Sequence, residues 1–121
     1  MKVKIDTKEK MHVITVEEAK LAANMTEGIS DLLLKYLDQA VANLVINLKE
    51  VEEIDAEAAK TLALIQQRFY EENHSVVFCN LQPKVSQVFE QNDLLDILNA
   101  TPTESEAWDI VQMEEIEREY L

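Results

Sequence analysis

The chain has 121 residues, 47% of them hydrophobic and 29% charged, with a formal net charge of −13. That is enough apolar residue for one domain with its own core, and too apolar a composition for a disordered chain. With 24 acids against 11 Lys and Arg and no basic cluster, a phosphate backbone is repelled, so no nucleic acid is expected as partner. The excess acid serves solubility, or steers a basic protein partner; composition leaves both open.

The chain opens with two runs rich in β-branched residues, KVKI and MHVITV, separated by the polar DTKEK, which predicts an N-terminal hairpin. From Thr26 the pattern becomes helical: Ile29, Leu32, Leu33 and Leu37 predict an amphipathic helix ending near Gln39, with Asn24 or Thr26 as its cap. Val41 to Leu48 is an apolar run suited to a central strand buried on both faces.

Next comes EIDAEAAK, where Asp55 fits the N-cap of the strongest helical pattern, with Ala58, Leu62, Ile65 and Phe69 forming one stripe. SVVFC reads as a strand, and NLQPKVSQVFEQ as a short helix with Pro83 in its first turn. NDLLDIL should hold a turn and lead to a last strand near Ile97 to Asn99. Thr103 to Leu121 closes the chain as a helix, with Thr103 and Glu106 spaced as a capping box. The order implies an α/β fold: a mixed sheet with an N-terminal hairpin, covered by about four α-helices.

Reactive groups are scarce. Cys79 lies in an apolar run, which makes a buried and inert thiol the expectation. His12 falls in a strand and His74 at a helix end, so neither is placed as a base for a nucleophile. The chain has a single glycine, Gly28, which rules out a phosphate-cradling loop, and metal-ligand spacing of the Cys–His type is missing. The expectation is a non-catalytic domain with no cofactor and no metal. No apolar run approaches the ~20 residues that span a bilayer, and MKVKIDTKEK lacks the apolar core of a signal peptide. A cytoplasmic protein without direct membrane insertion is expected. Trp108 is assigned to the core. Met113, Ile116 and Tyr120 form a stripe on the last helix. The plainer reading is packing within the domain; the sharper one is contact with a partner helix or a second subunit, as in a homodimer.

The hairpin, LAANMTEGI, NLVINLKEVEEIDAEAAKTLALI, SVVFCNLQPKVSQVFEQNDLLDIL and the closing acidic helix together resemble a STAS domain. That family comprises the anti-sigma-factor antagonists and the cytoplasmic tails of sulphate transporters. The resemblance implies a single STAS-like domain over residues 1–121, with a C-terminal helical extension at about 112–121. In the family, the segment matching NLKEVEEIDAEAA reads Asp-Leu-x-x-Val-x-x-Ile-Asp-Ser-Ser-Gly, so Leu48, Val51, Ile54 and Asp55 match. The antagonists bind an anti-sigma factor with a serine-kinase-type ATPase fold, which phosphorylates the first serine after the aspartate.

By the same resemblance, this chain carries Ala56 at the phosphoacceptor position, Glu57 at the next serine and Ala58 at the glycine. Asn47 stands where the family has aspartate, and Ala19 and Asp93 replace two further glycines. Ala56 has no hydroxyl, so the usual switch is missing. Either the protein is locked in its binding form, or Glu57 partly imitates the phosphorylated state; the first is favoured, since one charge on a flexible stem reproduces phosphate poorly. Alanine and glutamate are also simply good residues for a first helical turn. Thr61, Ser30, Ser75 and Ser86 read as surface or capping hydroxyls.

The implied partner-binding surface comprises Asn24, Asp55, Ala56, Glu57, Ala58, Lys60 and Thr61. The implied function is that of an anti-sigma-factor antagonist in bacterial partner switching and transcription regulation. The competing reading is an accessory subunit bound to the ATPase of a membrane transporter of lipid-transport type.

Overall fold

β-Branched runs and helical stripes assemble as alternating elements in the computed structural model, which describes residues 1–120. Strand β1 (Val3–Thr7) turns through Lys8, whose N–H reaches the Met11 carbonyl at 2.8 Å, into β2 (His12–Val16). The two pair antiparallel from Val3 opposite Val16 to Thr7 opposite His12, as the hairpin pattern predicts. β2 then pairs in parallel with β4 (Leu44–Asn47), β4 with β6 (Val76–Cys79), and β6 with β7 (Ala100–Thr101). The result is a mixed sheet of order β1-β2-β4-β6-β7.

Four helices cover it: α1 (Thr26–Leu34), α2 (Ala56–Glu71), α3 (Pro83–Gln91) and α4 (Glu104–Glu119). Side chains alternate across a strand, so the central strands serve two cores. Ile14, Leu44, Ile46, Val76 and Phe78 meet α1, α2 and α3 on one face. Val13, Val45, Val77 and Cys79 meet Ala107 and Val111 of α4 on the other. This two-sided burial explains why the segments around β4 and β6 read as unbroken apolar runs.

Several expectations shift. The central strand is shorter than Val41 to Leu48, although the residues from Ala42 to Leu48 are buried throughout. The last strand lies at Ala100–Thr101, not at Ile97 to Asn99. After α3 the chain turns at Asp93 in the left-handed region (φ 58°), and Leu94 to Leu98 fold into further tight turns that seat Leu98 in the core. Pairing with β6 starts only at the Asn99 carbonyl, which accepts from Phe78 N at 2.8 Å. A separate two-residue parallel pair, β3 (Lys20–Leu21) with β5 (Glu53–Ile54), was too short to show in the sequence pattern.

Neither Asn24 nor Thr26 caps α1. A 3₁₀ turn at Ala23–Met25 leads into the helix, and the Thr26 hydroxyl donates back to the Ala23 carbonyl. A second 3₁₀ turn, Lys35–Asp38, carries this segment to its expected end near Gln39. At α4 the Thr103 hydroxyl accepts from Glu106 N at 3.3 Å and donates to the Glu106 carboxylate at 2.8 Å, so the two residues pair at the cap. Met113, Ile116 and Tyr120 do not pack within the domain: all three are exposed. Trp108 is only half-buried at the edge of the second core, under the Lys8 ammonium. Ser75 is fully buried, not a surface hydroxyl. Leu121, the last residue of the predicted closing helix, lies outside the described residues.

Candidate functional site

The site of interest is the start of α2, where the loop after β4 and β5 delivers Asp55. Asp55 is extended (φ −95°, ψ 171°), the geometry an N-cap requires, and its carboxylate makes two bonds. Oδ1 accepts from Ala58 N at 2.9 Å, within the first helical turn. Oδ2 accepts from Ala23 N at 2.7 Å, in the turn that precedes α1. The Asp55 N–H donates to the Leu21 carbonyl at the end of β3. One residue therefore pins the α2 N-terminus, the Ala23–Met25 turn and the small β3–β5 sheet to each other. The N–H of Ala58 foremost holds this carboxyl below its usual range; burial, the next influence, opposes it, and the N–H groups of Ala23 and Glu57 with the Lys20 charge add to the lowering.

Around this pin the predicted patch is largely contiguous. Ala56 is the first residue of α2 and half-buried, Glu57 and Lys60 are exposed, and Asn24 is exposed on the adjoining turn. Thr61 is half-buried, its hydroxyl donating to the Glu57 carbonyl at 2.9 Å. Ala58 is the exception. It is completely buried on the face that meets the core, and so leaves the predicted surface. Its small size is what lets α2 sit close to the sheet.

Residues the sequence pattern did not single out join the patch. Leu64 is 64% exposed and lies one turn beyond Lys60 and Thr61 on the outer face of α2. With Ser30, Leu34, Thr61, Ile65 and Arg68 it lines a shallow groove of about 280 Å³ between α1 and α2. The signal was available, because Leu64 falls off the stripe of Ala58, Leu62, Ile65 and Phe69. On the other side of Asp55, a groove of about 400 Å³ runs between β5 and α3, flanked by Lys20 and Lys84. Those two lysines are distant in sequence, and only the fold brings them together.

The remaining candidate groups are structural. Cys79 is fully buried, and burial, aided by the Glu104 charge, pushes its thiol up to about 12. His12 is buried between the Thr7 hydroxyl (2.9 Å) and the Val41 carbonyl (3.0 Å). His74 lies just past α2, its N–H closing the helix end on the Phe69 carbonyl, with Asn73 at φ 64° before it. Asn47 accepts from Lys49 N at 2.9 Å and donates to the Glu104 carboxylate at 3.3 Å, a contact an aspartate could not make without opposing two carboxylates. Among the described residues, no cluster of His, Cys, Asp or Glu is arranged to hold a metal, and no helix is long and apolar enough to cross a membrane.

No curated protein matches the chain. Among solved structures, an anti-sigma factor antagonist from Mycobacterium paratuberculosis superposes with a TM-score of 0.79 at 16% identity, over 92% of this chain and 93% of that one. The Bacillus cell fate determinant SpoIIAA in its phosphorylated form gives 0.66 at 17% identity, over 91% and 99%. The murine Solute Carrier 26 family anion transporter gives 0.69 at 17% identity, over 86% of this chain but 18% of that one. At these identities the likeness is one of fold. The sequence itself matches the STAS domain over residues 2–107, and the chain belongs to the STAS domain family.

Proposed function

We propose that this STAS domain is a non-catalytic, cytoplasmic interaction module of the anti-sigma-factor-antagonist kind, docking a protein partner at the N-terminus of α2. The observation that carries the reading is the pair of hydrogen bonds that the Asp55 carboxylate accepts, from Ala58 N and from Ala23 N, which ties the α2 start to the Asn24 turn. On this reading the partner is an anti-sigma factor with a serine-kinase-type ATPase fold. Asn24, Asp55, Ala56, Glu57, Lys60, Thr61 and the exposed Leu64 would form the contact.

Ala56 sits at the first position of α2, where the family resemblance places a phosphorylatable serine. A methyl group there accepts no phosphoryl group, so the negative charge that would push a partner away is never added. The domain would then act by occupancy alone. A second reading is an accessory subunit bound to a membrane transporter's ATPase; a domain of this fold also occurs within an anion transporter.

Capture of proteins from the native lysate on immobilised wild-type chain, with Ala56→Arg as control, separates these readings. Recovery of a serine-kinase-type ATPase, lost with Ala56→Arg, is expected. Recovery of a transporter ATPase would replace the first reading by the second. An unchanged set of proteins on Ala56→Arg would overturn the α2 surface as the contact.

A further inference from the structure

Helix α4 carries a second surface that the α2 site does not use. From Trp108 onward it extends past the residues matched by the family. Its inner face is fastened by polar bonds: Tyr70 Oη donates to Glu114 at 2.6 Å, Asn43 Nδ2 to Glu115 at 2.6 Å, and Arg118 Nη2 to Ser75 Oγ at 2.6 Å. Asn43 also accepts from Ser75 N at 2.8 Å, so the network ties the C-terminal half of α4 to the starts of β4 and β6. The helix is held rigidly from within.

Among the described residues, nothing covers the opposite face. Around Met113, positions i−7, i−4, i+3, i+4 and i+7 are Glu106, Asp109, Ile116, Glu117 and Tyr120, which helical geometry puts on one side. Met113 and Ile116 are each 54% exposed and Tyr120 is 84% exposed. The three acids around them are also exposed, and the only basic residue of α4, Arg118, is engaged on the inner face. The face is thus an apolar stripe set in carboxylates, with no positive charge. A second copy would bring acid against acid, whereas a cationic amphipathic helix would match both features.

We propose that the outer face of α4 is a docking surface for a basic amphipathic helix of another protein, seated on Met113, Ile116 and Tyr120. The apolar stripe sets the register and the surrounding carboxylates supply steering and selectivity. This surface is separate from the α2 site, so it stands or falls on its own test.

The probe is a synthetic Leu/Lys peptide of about 18 residues with helical periodicity, titrated calorimetrically into the full chain at physiological salt. Controls are a scrambled peptide of the same composition and the variant Met113→Ser with Ile116→Ser, which keeps every charge and alters only exposed positions. Expected is one-to-one binding that the double variant and the scrambled peptide each weaken about tenfold or more, while Ala56→Arg leaves it unchanged. Absence of binding, or equal binding by the scrambled peptide or by the double variant, would overturn the proposal. So would a concentration-dependent dimer, seen by sedimentation, that the double variant abolishes.

Discussion

At the scale of single residues, Asp55 has the widest reach. It satisfies one donor of α2 and one of the turn before α1, both charge-assisted bonds to a carboxylate. Asp55→Ala removes both, and a loss of about 1–2 kcal/mol in urea unfolding at pH 7 is expected, at the upper end for an N-cap. Asp55→Asn keeps one acceptor oxygen and should fall between. The sign of the pH dependence follows from the depressed carboxyl: its contribution is fully present above the ordinary value of 3.8 and fades as pH falls through the lower folded value. Wild type and Asp55→Ala should therefore converge in stability in acid. A gap that persisted there would mean that packing at Asp55, not its charge, stabilises the loop.

At the scale of elements, legibility tracked the strength of the pattern. The hairpin, α2 and the Asp55 cap were readable because β-branched runs, a long stripe and a capping residue agreed locally. β3 and β5 were not, because a two-residue strand has no periodicity and forms only when its partner arrives across the fold. β7 was misplaced because Leu94 and Leu98 are apolar for the sake of tight turns over the core, which in sequence looks like a strand. The site divides the same way. Asp55, Ala56 and Glu57 lie together in the chain, whereas Lys20 and Lys84 meet beside Asp55 only through the sheet and α3. α1 offers a direct check of element energetics. Gly28 is helical and exposed, and a Cβ added there meets nothing within 4 Å. Gly28→Ala should raise stability by about 0.5–1 kcal/mol, read as an upward shift of the thermal midpoint. An unchanged or lowered midpoint would contradict the open surroundings of that position.

At the scale of the whole molecule, charge and shape divide the work. A net charge of −13 strains the folded state by self-repulsion, and the described residues hold few ion pairs, such as Lys8 with Asp6 and Arg68 with Glu72. Raising NaCl from low concentration to about 0.3 M should therefore raise the thermal midpoint, because screening relieves repulsion more than it weakens those exposed pairs. A midpoint that fell with salt would reveal ion pairing of greater weight. The proposed antagonist role turns on residue 56, where a methyl group stands in place of a hydroxyl. On the antagonist reading proposed above, the deciding measurement is the lifetime of the complex with a serine-kinase-type ATPase, should capture recover one, with and without ATP, for wild type and Ala56→Ser. The wild-type complex should outlast ATP addition without phosphoryl transfer to the STAS domain, while Ala56→Ser becomes phosphorylated and dissociates. Phosphorylation and release of the wild-type chain, or a complex indifferent to residue 56 in both states, would contradict it.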